Sequence, residues 1–364
     1  MLVLTLFAAP PLRAQIETVR TRTGPVAVET VAGGLVHPWG VAFLPDGRLL
    51  ITERPGRLRI LGTDGRLSGP LTGVPQVFAQ GQGGLLDVAL DPEFAQNRLV
   101  YLSYAEPGPG GASTALGRGV LADNRIDGFQ VIFRQEPKVS GSAHFGSRIV
   151  FAPDGTLFLA LGERFKFDPS QDLSSGLGKV MRLNRDGSIP RDNPFVGRPN
   201  AQAAIWSYGH RNIQAAAINP QSGALWVAEM GPRGGDELNL PERGRNYGWP
   251  LVSWGNHYDG RPIPNPPTRP EFADAIKHWT PAIAPSGMIF YTENTFPEWR
   301  GNVLIGSLTQ QALVRLAIQG SQVASEEIIP LNARIRDVAQ GPDGAVYLLT
   351  DQQNGAVLRL RPQR

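Results

Sequence analysis

Apolar residues along this chain come in short strand-length runs, and the runs come in pairs. The pairs read GVAFLPDGRLLITE at 40–53, DVALDPEFAQNRLVYLSY at 87–104, RIVFAPDGTLFLALGE at 148–163 and AAAINPQSGALWVAE at 215–229. They continue as GMIFYTENTFPEWRGNVLIGSL at 287–308 and DVAQGPDGAVYLLTD at 337–351. Val, Ile, Leu and Phe dominate the runs, which suits a pleated, half-buried surface. A turn cassette splits each pair. Proline presets φ for its first position, and Asp-Gly supplies the positive φ of a tight hairpin. Each pair is therefore predicted to be a β-hairpin. A further strand is predicted after the first and last pairs, at 56–61 and 355–360.

The cassette prolines fall at 45, 92, 153, 220, 297 and 342, so one unit recurs six times. Recurrence of a small antiparallel sheet predicts an all-β protein, a six-bladed β-propeller. A two-sheet sandwich also uses hairpins, but it gives no reason for one turn cassette in every pair. The segment VAVETVAGGL at 26–35 is predicted to pair into the last blade and close the ring, hiding both edges. The unequal spacing assigns insertions to 106–145, 164–211 and 231–282. These read as long inter-strand loops forming the mouth of an active site, because long loops on a compact domain usually carry function. No linker interrupts the pattern, so residues 15–364 read as one propeller domain.

Composition narrows the function classes. Gly 43 and Pro 32 in 364 residues fit a turn-rich fold, while 41% hydrophobic and 18% charged residues allow a packed core. The net charge of +3 is a balance of 35 against 32, with no block of like charges, so no nucleic-acid partner is expected. With Cys 0, disulfides, thiolate metal sites and cysteine nucleophiles are excluded. The first residues, MLVLTLFAAPPLRA, look like the back part of a signal peptide cut after Ala14. That predicts a periplasmic or secreted protein. The apolar run is too short to cross a bilayer, and no other stretch approaches a span.

Several polar residues share one address, a few positions upstream of an apolar pair: Gln82, His144, Arg211, Arg334 and Arg336. In a propeller these addresses surround one mouth of the central channel. His144 is suited to general-base work near neutral pH. Arginines suit an anionic ligand with carboxylates. Glu229, Asp236 and Glu237, with nearby turn carbonyls, could hold a hard cation such as Ca²⁺. Taken alone, each residue is equally compatible with capping backbone groups in a loop.

Together the motifs carry a family resemblance. HPWGVAFLPDGRLLITER, GQGGLLDVALDP, HFGSRIVFAPDGTLFLALGER, LGKVMRLNRDGSIPRDNPF, SYGHRNIQ, AEMGPRGGDELNL with NYGWP, and RIRDVAQGPDG resemble the soluble aldose sugar dehydrogenases that depend on pyrroloquinoline quinone (PQQ). The resemblance covers about residues 30–360 and implies PQQ and Ca²⁺ as cofactors and an aldose as substrate. It implies oxidation at C1 to the lactone, with His144 taking the hydroxyl proton while hydride leaves for the quinone C5. It also implies cofactor contacts from Gln82, Arg211, Asn212, Arg334 and Arg336. The cofactor-associated Ca²⁺ would rest on carbonyls of Gly231 and Pro232, and a further Ca²⁺ on Glu237 and the Tyr247 backbone. An exported cytochrome or quinone is the implied electron acceptor; monomer and homodimer both stay open. Two positions depart from the glucose-oxidising members: Ala143 where they carry an Asp beside the base, and Thr309 where they carry a Lys. Both point to the broader aldose branch. The alternative is a non-enzymatic propeller that binds a glycan or a protein. A lactonase fits less well, since the mouth lacks the acidic ligands it needs.

Overall fold

The computed structural model describes residues 16–263 and 267–363. Six antiparallel sheets follow one another along the chain. Blade 1 holds Pro38–Phe43, Leu49–Glu53 and Arg57–Leu61; blade 2 holds Leu85–Leu90, Leu99–Gly108, Gly111–Leu121 and Ile126–Arg134. Blade 3 holds Gly146–Phe151, Thr156–Leu161, Lys179–Asn184 and Ile205–Tyr208; blade 4 holds Ile213–Ile218, Leu225–Glu229, Asp236–Asn239 and Lys277–Trp279. Blade 5 holds Pro285–Phe290, Val303–Ser307, Ala312–Gln319 and Gln322–Pro330. Blade 6 is built from Ile335–Gln340, Val346–Thr350 and Gly355–Pro362. The first strand of each blade packs against the first strand of the next, and the sixth returns to the first. This is the predicted six-bladed propeller. All six cassettes are hairpins, with a short helix, Phe94–Asn97, inside the second.

Ring closure follows the expected route. Gly24–Leu35 pairs antiparallel with Gly355–Pro362, from Val26 opposite Pro362 to Leu35 opposite Gly355, and Ile16–Thr21 adds one more strand outside it. The sixth sheet is therefore five-stranded and joins the two ends of the described chain. The signal-peptide reading at 1–14 lies outside the described residues. Among the described residues no helix is long and apolar enough to cross a membrane.

The three long insertions are a correction. They contain the outer strands of blades 2, 3 and 4 as well as loops. In blade 2 the stretch AEPGPGGASTALG forms one long hairpin, with Gly108 opposite Gly111. Its glycines, alanines and hydroxyls hide the apolar alternation that marks a strand.

Apolar cores lie between neighbouring blades. Leu50, Leu58 and Leu85 join blades 1 and 2; Leu304, Leu313 and Leu348 join blades 5 and 6. Every innermost strand carries a register shift just after its first residues, as between Gly146 and Arg148 or Ile335 and Asp337. Such bulges re-aim side chains, and here they gather a buried polar knot. The Arg148 guanidinium lies 3.0 Å from Asp87 Oδ1 and 2.9 Å from Asp337 Oδ1. It donates to the carbonyls of Gln214 at 2.7 Å and Arg336 at 3.1 Å, and covers the Trp39 ring at 4.2 Å. Ser286 Oγ donates to the same Arg336 carbonyl at 2.7 Å. One knot thus ties all six blades beneath the mouth. Gly40 belongs to it because a Cβ there would lie 2.8 Å from Asp87 Oδ1.

Candidate active site

His144 occupies the turn before the innermost strand of blade 3. Its φ of 54° is left-handed, which costs energy for a residue with a side chain. Neighbours hold it there. Its N–H donates to Gln82 Oε1 at 2.8 Å, and its carbonyl accepts from the Arg164 N–H at 3.1 Å. The ring is buried, with Nδ1 2.6 Å from Glu163 Oε1. The other oxygen of Glu163 accepts the N–H groups of Lys166 and, at 2.8 Å, Phe167. A carboxylate on Nδ1 fixes the proton there and leaves the Nε2 lone pair free. Burial pushes the His144 pKa below its ordinary value; the charges of Arg211 and Arg164 push the same way, while Glu163 opposes them. The imidazole is therefore neutral at pH 7 and able to take a proton.

Glu163 was missed in the sequence. Reading only the residue beside the base, Ala143, leaves the imidazole without an acidic partner. The partner comes from across the hairpin instead, because Gly146 pairs with Leu161 and brings the two strand ends together. The signal was a carboxylate terminating an apolar run, FLALGE. Blade 4 repeats the device: His210 Nδ1 lies 2.9 Å from Glu229 Oε1. There Nε2 is already bonded to Ser207 Oγ at 2.9 Å, so of these two His144 is the one with an open ring nitrogen.

Arg211 and Asn212 follow His210 on blade 4. The Arg211 guanidinium donates to the Met230 carbonyl at 2.8 Å and the Gly231 carbonyl at 2.6 Å, and its second arm reaches Tyr258 Oη at 3.2 Å. It packs over the Trp249 and Tyr258 rings, 5.1 and 5.6 Å from their centres. Asn212 is fully buried; its Oδ1 accepts the Gly146 N–H at 3.2 Å and so braces the turn that carries His144. Gln82, Arg211 and Asn212 thus gather around the His144 turn.

The blade 6 arginines do so less directly. Arg336 is buried in the floor, donating to Gln214 Oε1 and Asp351 Oδ2, both at 2.6 Å. Arg334 is the more open of the two, reaching Asp351 at 3.5 Å. Thr309, the position that departs from the family's Lys, donates Oγ1 to the Ala282 carbonyl at 2.9 Å and brings no charge.

Oxygen donors collect beside Arg211. A small hollow is lined by Glu229, Gly231, Glu237, Tyr247 and Trp249. Burial, with the charge of Glu229 nearby, pushes the Glu237 carboxyl up to about 8. Glu237 accepts from Asn239 Nδ2 at 3.1 Å, whereas Asn239 Oδ1 is buried with no partner. Asp236 is spent on structure, accepting the N–H groups of Gly231 at 2.8 Å and Ala284 at 2.6 Å. The Tyr247 hydroxyl is likewise committed, to the Leu240 carbonyl and the Glu242 N–H. A carboxyl pushed up by burial and an orphaned amide oxygen fit a hard cation, while the Gly231 carbonyl would have to share with Arg211. Buried donors without partners, Arg211 Nε, Trp249 Nε1 and Arg336 Nε, fit an anionic, acceptor-rich cofactor.

Fold and site together define a propeller oxidoreductase, and the chain belongs to the glucose/sorbosone dehydrogenase family, whose profile matches residues 35–359. It is similar to the aldose sugar dehydrogenase YliI of Escherichia coli (strain K12), 47% identical over 348 residues and 93% of each chain. The apo-form crystal structure of the soluble aldose sugar dehydrogenase from Escherichia coli superposes with a TM-score of 0.91 at 46% identity, covering 93% of this chain and 100% of that one. The PQQ-bound form of the aldose sugar dehydrogenase from Streptomyces coelicolor gives 0.76 at 28% identity, covering 97% and 100%.

Proposed function

We propose that this protein oxidises aldoses at C1 to lactones with PQQ and Ca²⁺, and that His144 is its general base. The observation that carries the reading is the neutral, carboxylate-oriented imidazole with one open nitrogen, set beside Arg211. Bound PQQ, polarised by Ca²⁺, supplies the two-electron acceptor for hydride from C1. The protein's own residues do the rest. His144 Nε2 accepts the C1 hydroxyl proton. Glu163, 2.6 Å from Nδ1, compensates the positive charge that then sits on the ring. Gln82 and Asn212 hold the turn so that Nε2 keeps its aim.

Arg211 would bind a cofactor carboxylate through the N–H groups its present partners leave open, and Arg334 would do the same from blade 6. The buried Arg336 would add its Nε N–H from the floor. Gly231 and Pro232 would turn carbonyls to the cofactor-associated Ca²⁺, and Glu237 with the Tyr247 backbone would hold another. On this reading the acceptor that reoxidises the cofactor is an exported cytochrome or quinone, and the protein works outside the cytoplasm.

Reconstitution tests the proposal. Adding PQQ and Ca²⁺ to the purified chain should switch on dye reduction with an aldose panel, with lactone as product. Absence of any gain across the panel, together with an unchanged PQQ absorbance spectrum, would favour the glycan- or protein-binding alternative.

A further inference from the structure

Two large aromatic side chains stand open at the mouth, Phe165 at 42% exposure and Tyr258 at 60%. They come from different blades: Phe165 follows Glu163 on the blade 3 side, and Tyr258 lies in the long blade 4 insertion. The Phe165 ring meets His144 edge-on, with centres 5.0 Å apart at 71°. It faces Tyr258 in a loose stack, 6.3 Å apart at 23°. Tyr258 in turn touches Arg211. The pair therefore spans the distance from the base to the arginine.

Phe165 is held open at a cost. Its φ of 59° is left-handed, as are those of Arg164 and Phe167 at 60° and 64°. Three such side-chain-bearing residues within four positions persist only where surroundings over-determine them, and this is typical of functional segments. The determinants are visible. Glu163 ties the Lys166 and Phe167 N–H groups, and the buried Arg164 guanidinium donates to the Gly141 carbonyl at 2.7 Å and lies 3.6 Å over the Phe145 ring. Phe167 packs against Phe165, with ring centres 5.2 Å apart at 60°. The loop spends this restraint on presenting an apolar ring to solvent.

Resting on the proposed sugar oxidation, we infer that Phe165 and Tyr258, whose rings at 6.3 Å admit no sugar between them, together form the aromatic wall of a slot that takes the C–H face of a pyranose and decides which aldoses reach His144. A pyranose ring presents axial C–H groups, apolar and slightly positive, on one face. An aromatic ring presents a negative face of matching size. An open-chain polyol has no rigid face of this kind. The anomeric hydroxyl, at the edge of the ring, is then left for His144, which Phe165 touches edge-on. Phe165 is a specificity-determining residue here and takes no part in proton or hydride transfer.

Saturation-transfer NMR on the full chain tests the slot. The probe is methyl β-D-glucopyranoside, which cannot be oxidised at C1, with and without PQQ and Ca²⁺. Transfer should centre on the axial ring protons, fade in Phe165→Ala and Tyr258→Ala, and return in Phe165→Tyr. In the reconstituted enzyme, Phe165→Ala should raise KM for aldopyranoses about tenfold with a smaller change in kcat, the worth of one aromatic contact. No transfer in the wild type, or transfer unchanged in Phe165→Ala, overturns the slot. Transfer with the expected pattern in a protein that oxidises no aldose would overturn the proposed reaction and leave the slot standing.

Discussion

At the scale of residues, the site depends on one imidazole kept neutral. Burial lowers the folded-state pKa of His144 below 6.5. The working form is the unprotonated one, so it persists as pH falls through 6.5 and is lost only below the lowered pKa. The stability linked to the group has the same sign: full above 6.5, and declining as pH falls through the folded value. An NMR titration of the His144 ring in the apoprotein should give a midpoint below 6.5; a midpoint above it would contradict the burial argument. His144→Ala should lower turnover by about 10²–10⁴-fold, the usual worth of a general base. Glu163→Gln should act differently. It removes the influence that raises the His144 pKa, so the acid limb of kcat/KM moves further down while the plateau drops. A Glu163→Gln enzyme with the wild-type pH profile would mean that the carboxylate only supports the loop.

At the scale of elements, the hairpins were legible because their cassettes state both turn and strands. Leu49–Glu53 and Val346–Thr350 fall where Pro-Asp-Gly places them. The outer strands of blades 2 to 4 were not, since small residues such as those of Gly111–Leu121 satisfy a ladder without writing an alternating pattern. The mouth residues were legible as addresses upstream of four of the six cassettes. What each one touches was not, because Glu163 reaches His144 only through hairpin register, and Arg336 turns into the floor rather than the opening.

The loop between Leu161 and Lys179 shows what register alone cannot tell. Its closure rests on Lys179, fully buried, whose Nζ donates to the carbonyls of Pro169 and Ser170 at 2.9 Å and of Leu177 at 2.6 Å. Burial pushes this amine from 10.5 down to about 7. Because the folded pKa is depressed, the unfolded chain binds more protons between about 7 and 10.5. Stability from this group is therefore full above 10.5 and is lost as pH falls toward 7, by up to about 1.4 kcal/mol per unit. Lys179→Met cannot titrate. Urea unfolding of both proteins from pH 7 to pH 9 should show the wild type gaining on the variant as pH rises. A constant difference would show that the three carbonyls keep the ammonium charged throughout.

At the scale of the whole molecule, a ring of blades needs both a seam and a hub. The seam is the pairing of Gly24–Leu35 with Gly355–Pro362, which closes the ring between the last blade and the first. The hub is Arg148, whose single positive charge sits between two buried carboxylates. Burial pushes Asp87 up and Asp337 up to about 6, with Arg148 opposing both shifts. Removing the guanidinium leaves two buried carboxylates facing each other, a loss of about 3–5 kcal/mol for a broken buried pair. Sign then separates this account from simple loss of packing. A carboxyl whose folded pKa lies above its unfolded value contributes stability that is full at low pH and lost as pH rises through the folded pKa. Arg148→Met raises those folded values further, so its deficit against the wild type should be largest at pH 7 and shrink at pH 5, where the carboxyls take up protons. Denaturant unfolding at the two pH values measures this. A deficit that stays constant would place the role of Arg148 in filling the centre of the ring over Trp39 rather than in balancing charge.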